Sequence, residues 1–140
     1  MKNLILTAFV ITICAVAISQ NIVFSHEGTH AEDHSKLKLE NLRTDKLAGV
    51  ENTEVVVSRV VIPPNTTLSK HWHPGEEFAY IIEGSVTLWQ EGNADIVGKQ
   101  GDVIKVPLKQ VHTAITKETG ATIVVFRVHE LGKQQRYLVE

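Results

Sequence analysis

The stretch that decides the fold runs from residue 71 to residue 84 and reads HWHPGEEFAYIIEG. His71 and His73 stand two residues apart, so on a β-strand their side chains point to the same face. Pro74 and the glycine after it turn the chain, and Glu77 can return to that face from the neighbouring strand. Imidazole and carboxylate groups placed in this way suit a divalent transition metal.

A distant histidine, His112, is expected to come from a remote strand and to complete this group across the barrel. Glu76 competes with Glu77 for the position of the carboxylate. Because side chains alternate along a strand, only one of the two glutamates can face the histidines.

Short apolar segments separated by turn residues dominate the chain from residue 54 onward. They are rich in valine and isoleucine, and none has the spacing of an amphipathic helix. The predicted strands are residues 54–62, 68–73, 77–83, 85–90, 95–97, 103–106, 111–117 and 121–129. Gly84 is expected to form a tight hairpin between two of them. The pattern predicts an all-β sandwich or barrel.

The opening stretch resembles the first motif of the cupin family, which reads His-x-His, three or four spacers, Glu, six spacers and Gly. His71, His73, Glu77 and Gly84 occupy its fixed positions. The spacing of this motif favours Glu77 over Glu76 as the metal ligand.

The second cupin motif is also present in part. It places Gly five spacers before Pro, and then His, and Gly101, Pro107 and His112 match it. Three turn or support positions depart from the two motifs: Asn65, Lys109 and Thr116 stand where the family usually has Gly, Gly and Asn. These departures affect the geometry of the loops and leave the ligand set complete.

The resemblance implies a double-stranded β-helix, a jelly-roll barrel, over residues 51–132. It implies a divalent transition metal (Fe, Mn, Zn, Ni or Cu) held by His71, His73, Glu77 and His112. Glu77 would be a ligand and also the catalytic base when it loosens. Cupins with this ligand set include dioxygenases, isomerases, oxalate-degrading enzymes and plain binders, so the family implies a site and not a reaction.

The N-terminus has the layout of a secretory signal peptide over residues 1–25. Lys2 precedes an apolar run over residues 4–18, and residues 23–25 have the shape of a cleavage site, with residues 15–17 as an earlier alternative. An uncleaved membrane anchor is the alternative, although polar residues 19–21 interrupt the run. The single cysteine, Cys14, lies in this segment, so the exported chain would form no disulfide. We expect export, to a bacterial periplasm or outside the cell.

Two segments flank the expected barrel. Residues 26–50 are predicted to be a polar, partly mobile leader whose latter half docks as an edge strand through its leucines, and residues 133–140 a loose tail. The leader contains HEGTH at residues 26–30, the pattern of zinc proteases. That chemistry needs a helix, and Gly28 and Thr29 are poor helix formers, so we interpret the pattern as part of a solvated segment.

Composition limits the partners. The 140 residues imply one domain, and the formal net charge of -2 gives no electrostatic basis for binding nucleic acid or an anionic membrane. We expect a small-molecule substrate or ligand, and no membrane contact after signal cleavage. Phe78, Tyr80 and Ile82 form an apolar face opposite Glu77, Ala79 and Ile81, and we expect a homodimer to cover it.

Two other pairs of residues have alternative interpretations. Arg127 and His129 share a face of the last long strand. An inward face would let them hold an anionic substrate and relay protons, but an outward, solvated face is favoured. Trp72 and Trp89 either line a pocket mouth or pack against neighbours, and packing is favoured.

Three functions are compatible with these residues. The first is a metal-dependent oxidoreductase of the dioxygenase type that acts on a small organic molecule. The second is a non-catalytic module that binds or senses a metal or small ligand, and the third is a sugar isomerase or epimerase. A cavity packed shut by Ile81 and Phe126 would favour the second.

Overall fold

A computed structural model describes residues 35–140, and within them all regular secondary structure is β-strand. The strands are β1 (Lys38–Lys46), β2 (Thr53–Ile62), β3 (His71–Trp72), β4 (Gly75–Gln90), β5 (Ile96–Lys99), β6 (Val103–Val106), β7 (His112–Ile115), β8 (Ala121–Glu130) and β9 (Tyr137–Leu138). Residues 35–140 contain no helix that is long and apolar enough to cross a membrane. The predicted signal peptide and the HEGTH pattern lie outside the described residues.

The strands form two antiparallel sheets that share β4. One sheet has the order β1-β2-β8-β4-β6, and the other has the order β5-β4-β7-β3-β9. The first half of β4 pairs with β8 and β6, and its second half pairs with β5 and β7. The two sheets curl around one interior, which confirms the predicted double-stranded β-helix.

Gly84 marks the point where β4 passes from one sheet to the other. The hairpin predicted there is wrong, because the chain continues through Gly84 as one strand. A bulge between Ile81 and Glu83 and the positive φ of Gly84 (76°) bend the strand. A Cβ atom at residue 84 would collide with the carbonyl oxygen of Gly120, so only glycine fits this crossing.

The core fills the space between the two sheets. Side chains alternate along β4 as predicted, with Ala79 and Ile81 buried and Tyr80 and Ile82 exposed. The buried cluster includes Val60, Ile62, Val86, Leu88, Ile104 and Val125. Burial of the apolar surface of this cluster provides most of the free energy that holds the two sheets together.

Both flanking segments take part in the fold. The latter half of the predicted leader forms edge strand β1, paired with β2, as predicted, but Leu39 and Leu42 remain 52% and 48% exposed, so main-chain pairing and not leucine burial holds the strand. The C-terminal tail was predicted to be loose, and this is wrong for its end. There, β9 pairs with β3, and the Tyr137 ring stacks on Trp72 with 4.2 Å between ring centroids. Stacking of the two rings adds stability to a strand that pairs through only two residues.

Candidate metal centre

Three buried histidines converge inside the barrel. His71 begins β3 and lies directly opposite His112, which begins β7, while His73 follows β3 immediately. One ring nitrogen from each of the three lies within 4.8 Å of the others. His71 and His73 therefore come from β3 and the residue after it, as predicted, whereas His112 comes from the adjacent strand β7 and not from across the barrel.

Main-chain carbonyl groups fix the orientation of all three rings. The Nδ1 atoms of His71, His73 and His112 lie 2.8, 2.6 and 2.9 Å from the carbonyl oxygens of Ser69, Gln135 and Gln110. A carbonyl oxygen only accepts, so each Nδ1 carries the proton and donates it. Each neutral ring then keeps a lone pair on Nε2, the atom that binds a metal.

Two of the rings, those of His71 and His112, are kept neutral by their surroundings. Burial, with smaller contributions from His112 and His73, lowers the pKa of His71 to about 4 against the opposing effects of the Ser69 carbonyl and Glu77. Burial also lowers the pKa of His112. Neutral imidazole is the form that coordinates metal, so these rings are ready to bind near neutral pH.

Glu77 adjoins the three histidines from β4. Its Oε2 lies 2.9 Å from Nε2 of His73, and its Oε1 lies 4.0 Å from Nε2 of His112. The contact with His73 lacks the alignment of a hydrogen bond, and this Nε2 has no hydrogen-bond partner among the described residues. A buried, unpaired lone pair beside a carboxylate is the arrangement that a cation would satisfy.

Glu77 is ionised. Burial raises the pKa of its carboxyl group, but His73, Arg127 and His112 together outweigh burial and lower this pKa to about 2. Arg127 lies directly opposite on β8 and donates from Nε to Oε2 over 3.0 Å. The three converging histidines fit a transition-metal site, and the ionised carboxylate of Glu77 lies beside two of them.

The outward position predicted for Arg127 and His129 is wrong. Both side chains face inward and are buried, at 5% and 3% exposure. His129 lies away from the three histidines, with its Nε2 3.6 Å from Oε1 of Glu54. Both faces of β8 carry apolar residues, so alternation alone did not show which face is inside.

The three departures from the motifs have visible roles in the loops. Asn65 and Lys109 adopt left-handed backbone conformations, with φ of 52° and 57°, where glycine is usual. The amide of Lys109 donates to the carbonyl oxygen of His73 over 3.2 Å, which ties this turn to the site. The Thr116 hydroxyl accepts from the Thr66 amide and donates to the Pro63 carbonyl, so it supports the loop before β3.

A cavity of about 340 Å³ opens beside the histidines. Its walls are mostly apolar side chains, and its polar lining includes the three histidines, Glu77, Arg127 and Gln135. Ile81 belongs to the core and Phe126 faces outward at 43% exposure, so these two residues do not close the cavity. The volume suits a small organic molecule.

Two tryptophans, Trp72 on β3 and Trp89 on β4, lie on strands beside the site. Trp72 stacks on Tyr137, and the Lys70 ammonium lies 4.3 Å from the centre of the Trp89 ring, so both tryptophans pack against neighbours, the alternative that the sequence favoured.

Gln135 contacts the site although the sequence did not predict it. Its main-chain carbonyl contacts His73, and every residue type has such a carbonyl, so the identity of residue 135 gave no indication of the contact.

A family model described as the cupin domain matches residues 58–128, just over half of the chain. No curated protein matches the sequence. Among solved structures, a cupin-like protein from Thermotoga maritima is similar with a TM-score of 0.60 and 23% identity, over 74% of this chain and 75% of that one.

Two enzymes of known structure are also similar in fold. The DMSP lyase DddQ from Ruegeria pomeroyi has a TM-score of 0.57 and 22% identity, over 61% of this chain and 43% of that one. Oxalate decarboxylase from Bacillus subtilis has a TM-score of 0.54 and 20% identity, over 61% of this chain and 24% of that one. The chain thus spans under half of the lyase and about a quarter of the decarboxylase, and the likeness concerns the fold.

Proposed function

Because this chain belongs to the cupin family, we propose that it is a metal-dependent oxidoreductase of the dioxygenase type that acts on a small organic molecule. The observation that carries the proposal is the open cavity beside three histidines whose Nε2 lone pairs converge. A plain metal-storage module would need no such space next to its metal.

The proposed ligands are His71, His73 and His112 through Nε2, with the carboxylate of Glu77 as the fourth. This set leaves room for substrate on a five- or six-coordinate metal. When bound, a redox-active metal (Fe, Mn, Ni or Cu) would supply the reactivity toward dioxygen, and Zn, which has no redox chemistry, would not.

The protein's own groups would orient the substrate and handle its proton. Apolar walls, including Ala79, Leu88 and Val125, exclude water from the side of the cavity facing the core. Glu77 holds a negative charge beside that space. It becomes a stronger base when its contacts with Arg127 and His73 loosen, because those contacts lower its pKa.

Oxygen uptake tests the oxidoreductase. Protein purified without a histidine tag is loaded separately with Fe²⁺, Mn²⁺, Ni²⁺ or Cu²⁺ and mixed with flavonols, diketones or thiols in an oxygen electrode. We expect uptake that depends on both the metal and one substrate class, and that Glu77→Gln lowers. Loaded protein that consumes no oxygen with any of these compounds would contradict the proposal and support the binding module.

We also propose export, with residues 1–25 as the signal peptide. Support comes from the sequence: the positive Lys2, the apolar run over residues 4–18 and the small residues after it. N-terminal sequencing of protein recovered from a bacterial host tests it. A mature chain that starts near His26 is expected, and an intact N-terminus in the membrane fraction would support the anchor instead.

A second copy of the chain is the proposed cover for the outer face of the first sheet. Tyr80, Ile82 and Phe126 are 45%, 40% and 43% exposed there, and Phe126 lies opposite Phe78 across the β4–β8 pair. An exposed apolar face of this kind is typical of a homodimer interface. Phe126→Glu should convert a dimer to a monomer in sedimentation, whereas Val97→Glu, on the other sheet, should not.

A further inference from the structure

Gln135 contacts the candidate metal centre twice, through its main chain and through its side chain. Its carbonyl oxygen lies 2.6 Å from Nδ1 of His73. Because the carbonyl can only accept, this contact holds the proton on Nδ1 and leaves the lone pair of His73 on Nε2. The orientation of one proposed metal ligand therefore depends on a residue 62 positions further along the chain.

The side chain of Gln135 reaches the other half of the site. Its Oε1 accepts from Nη1 of Arg127 over 3.2 Å, and Arg127 in turn donates from Nε to Glu77 over 3.0 Å. A guanidinium group is planar and rigid, so an acceptor at Nη1 restricts the direction in which Nε points. Gln135 thereby helps to set the position of the Glu77 carboxylate.

The segment that carries Gln135 is anchored next to the site. Tyr137 pairs with Trp72 in the β3–β9 ladder, and its ring stacks on Trp72 at an angle of 10°. The amide of Val139 donates to the carbonyl oxygen of Lys70 over 3.0 Å. These contacts fasten the C-terminal segment to the strand that contains His71, so the segment and the ligands are held as one unit.

We propose that Gln135 is a positioning residue for the metal centre, which it orders by fixing His73 through its carbonyl oxygen and the Arg127–Glu77 pair through its side chain. The inference rests on the proposed metal site and adds the C-terminal segment to it. Docking of β9 and metal binding stabilise each other, because both require the same position of Gln135.

Four variants of the full-length chain separate these contacts. Gln135→Met keeps the length of the side chain and removes the acceptor for Arg127, whereas Gln135→Glu keeps an acceptor oxygen. Tyr137→Ala removes the ring that stacks on Trp72 and so loosens the segment. Gln134→Met is the matched control, since Gln134 lines the same cavity but does not make the contacts of Gln135.

Two readouts are used, both independent of activity. Calorimetric titration with Co²⁺ alone gives the affinity, and nitrogen-15 NMR of the histidine rings in metal-free protein shows which nitrogen carries the proton. Loss of a residue that orients a metal ligand costs about 10–100-fold in metal affinity. We expect a loss in that range for Gln135→Met and Tyr137→Ala, recovery in Gln135→Glu, and no change in Gln134→Met. Tyr137→Ala should also shift part of the His73 population to the Nε2-protonated form.

Unchanged Co²⁺ affinity in Gln135→Met and Tyr137→Ala, with His73 still protonated on Nδ1 in the latter, would overturn the inference and leave the proposed metal site intact. Equal losses in Gln135→Met and Gln134→Met would also overturn it, since the effect would then not depend on the contact with Arg127. Failure of the unaltered protein to bind Co²⁺ would overturn both the metal site and this role of Gln135.

Discussion

Arg127 and Glu77 face each other across the β8–β4 ladder, buried, with Nε donating to Oε2 over 3.0 Å. The pair places a fixed positive charge behind the carboxylate proposed to bind metal. That charge helps to keep Glu77 ionised inside an apolar barrel, since His73, Arg127 and His112 together lower the pKa of the carboxyl group against the effect of burial. The arrangement makes the carboxylate available as a ligand without a proton to remove.

Removing the arginine should destabilise the metal-free protein strongly. Arg127→Met leaves the Glu77 carboxylate buried without its main cationic partner, and breaking such a pair costs about 3–5 kcal/mol. Chemical denaturation in the presence of a chelator measures the free energy of unfolding. The double variant Arg127→Met/Glu77→Gln should recover a large part of the loss. A double variant as unstable as Arg127→Met would show that the two side chains are not coupled.

The stability of the metal-free protein should fall in two steps as the pH decreases. His71 has a pKa of about 4 in the folded protein against an ordinary value of 6.5, so the unfolded chain binds more protons between these values. The contribution of His71 to the free energy of unfolding is therefore fully present above pH 6.5 and is lost as the pH falls toward 4. Glu77 adds a second loss as the pH falls from 4.5 toward 2.

Denaturation midpoints measured across this range, with chelator present, test the pH dependence. His71→Gln carries no titrating ring and should show a shallower fall over the first step, with the second step unchanged. A midpoint that rises on acidification between pH 6.5 and pH 4 would contradict the lowered pKa of His71.

Lys109→Gly should stabilise the protein by about 1 kcal/mol. A left-handed conformation costs an ordinary residue about 1–2 kcal/mol, and glycine avoids this cost. Glycine also has more conformational freedom in the unfolded chain, which reduces the gain in stability by about 0.5–1 kcal/mol. Asn65→Gly should stabilise less, because asparagine tolerates a positive φ. Thermal unfolding measures both changes. A lower melting temperature for Lys109→Gly would mean that the lysine side chain contributes more than its strained backbone costs.

Much of the site could be predicted because the spacing of residues along a strand determines which side chains share a face. His71 and His73 share a face through the alternation of a strand, and the burial of Ala79 and Ile81 follows from the same rule. The second motif marked Lys109 as a turn position where glycine is usual, and the backbone there is left-handed even though the glycine is absent.

Other features depend on pairing partners that a single sequence does not show. A glycine with positive φ serves a hairpin and a bend equally well, so Gly84 alone did not reveal that β4 continues into the second sheet. The inward position of Arg127 depends on which of two apolar faces is covered. The role of Gln135 depends on a main-chain carbonyl, which every residue has.

Metal content is the most direct test of the proposed metal site, which consists of three converging imidazoles and an adjacent carboxylate inside the barrel. Elemental analysis should be performed on untagged protein, with His73→Ala and His112→Ala beside it and His129→Gln as the control, since His129 is buried away from the other histidines. We expect one transition-metal ion per chain in the unaltered protein and in His129→Gln, and a loss of metal in both alanine variants. Full metal content in both His73→Ala and His112→Ala would contradict the proposed centre.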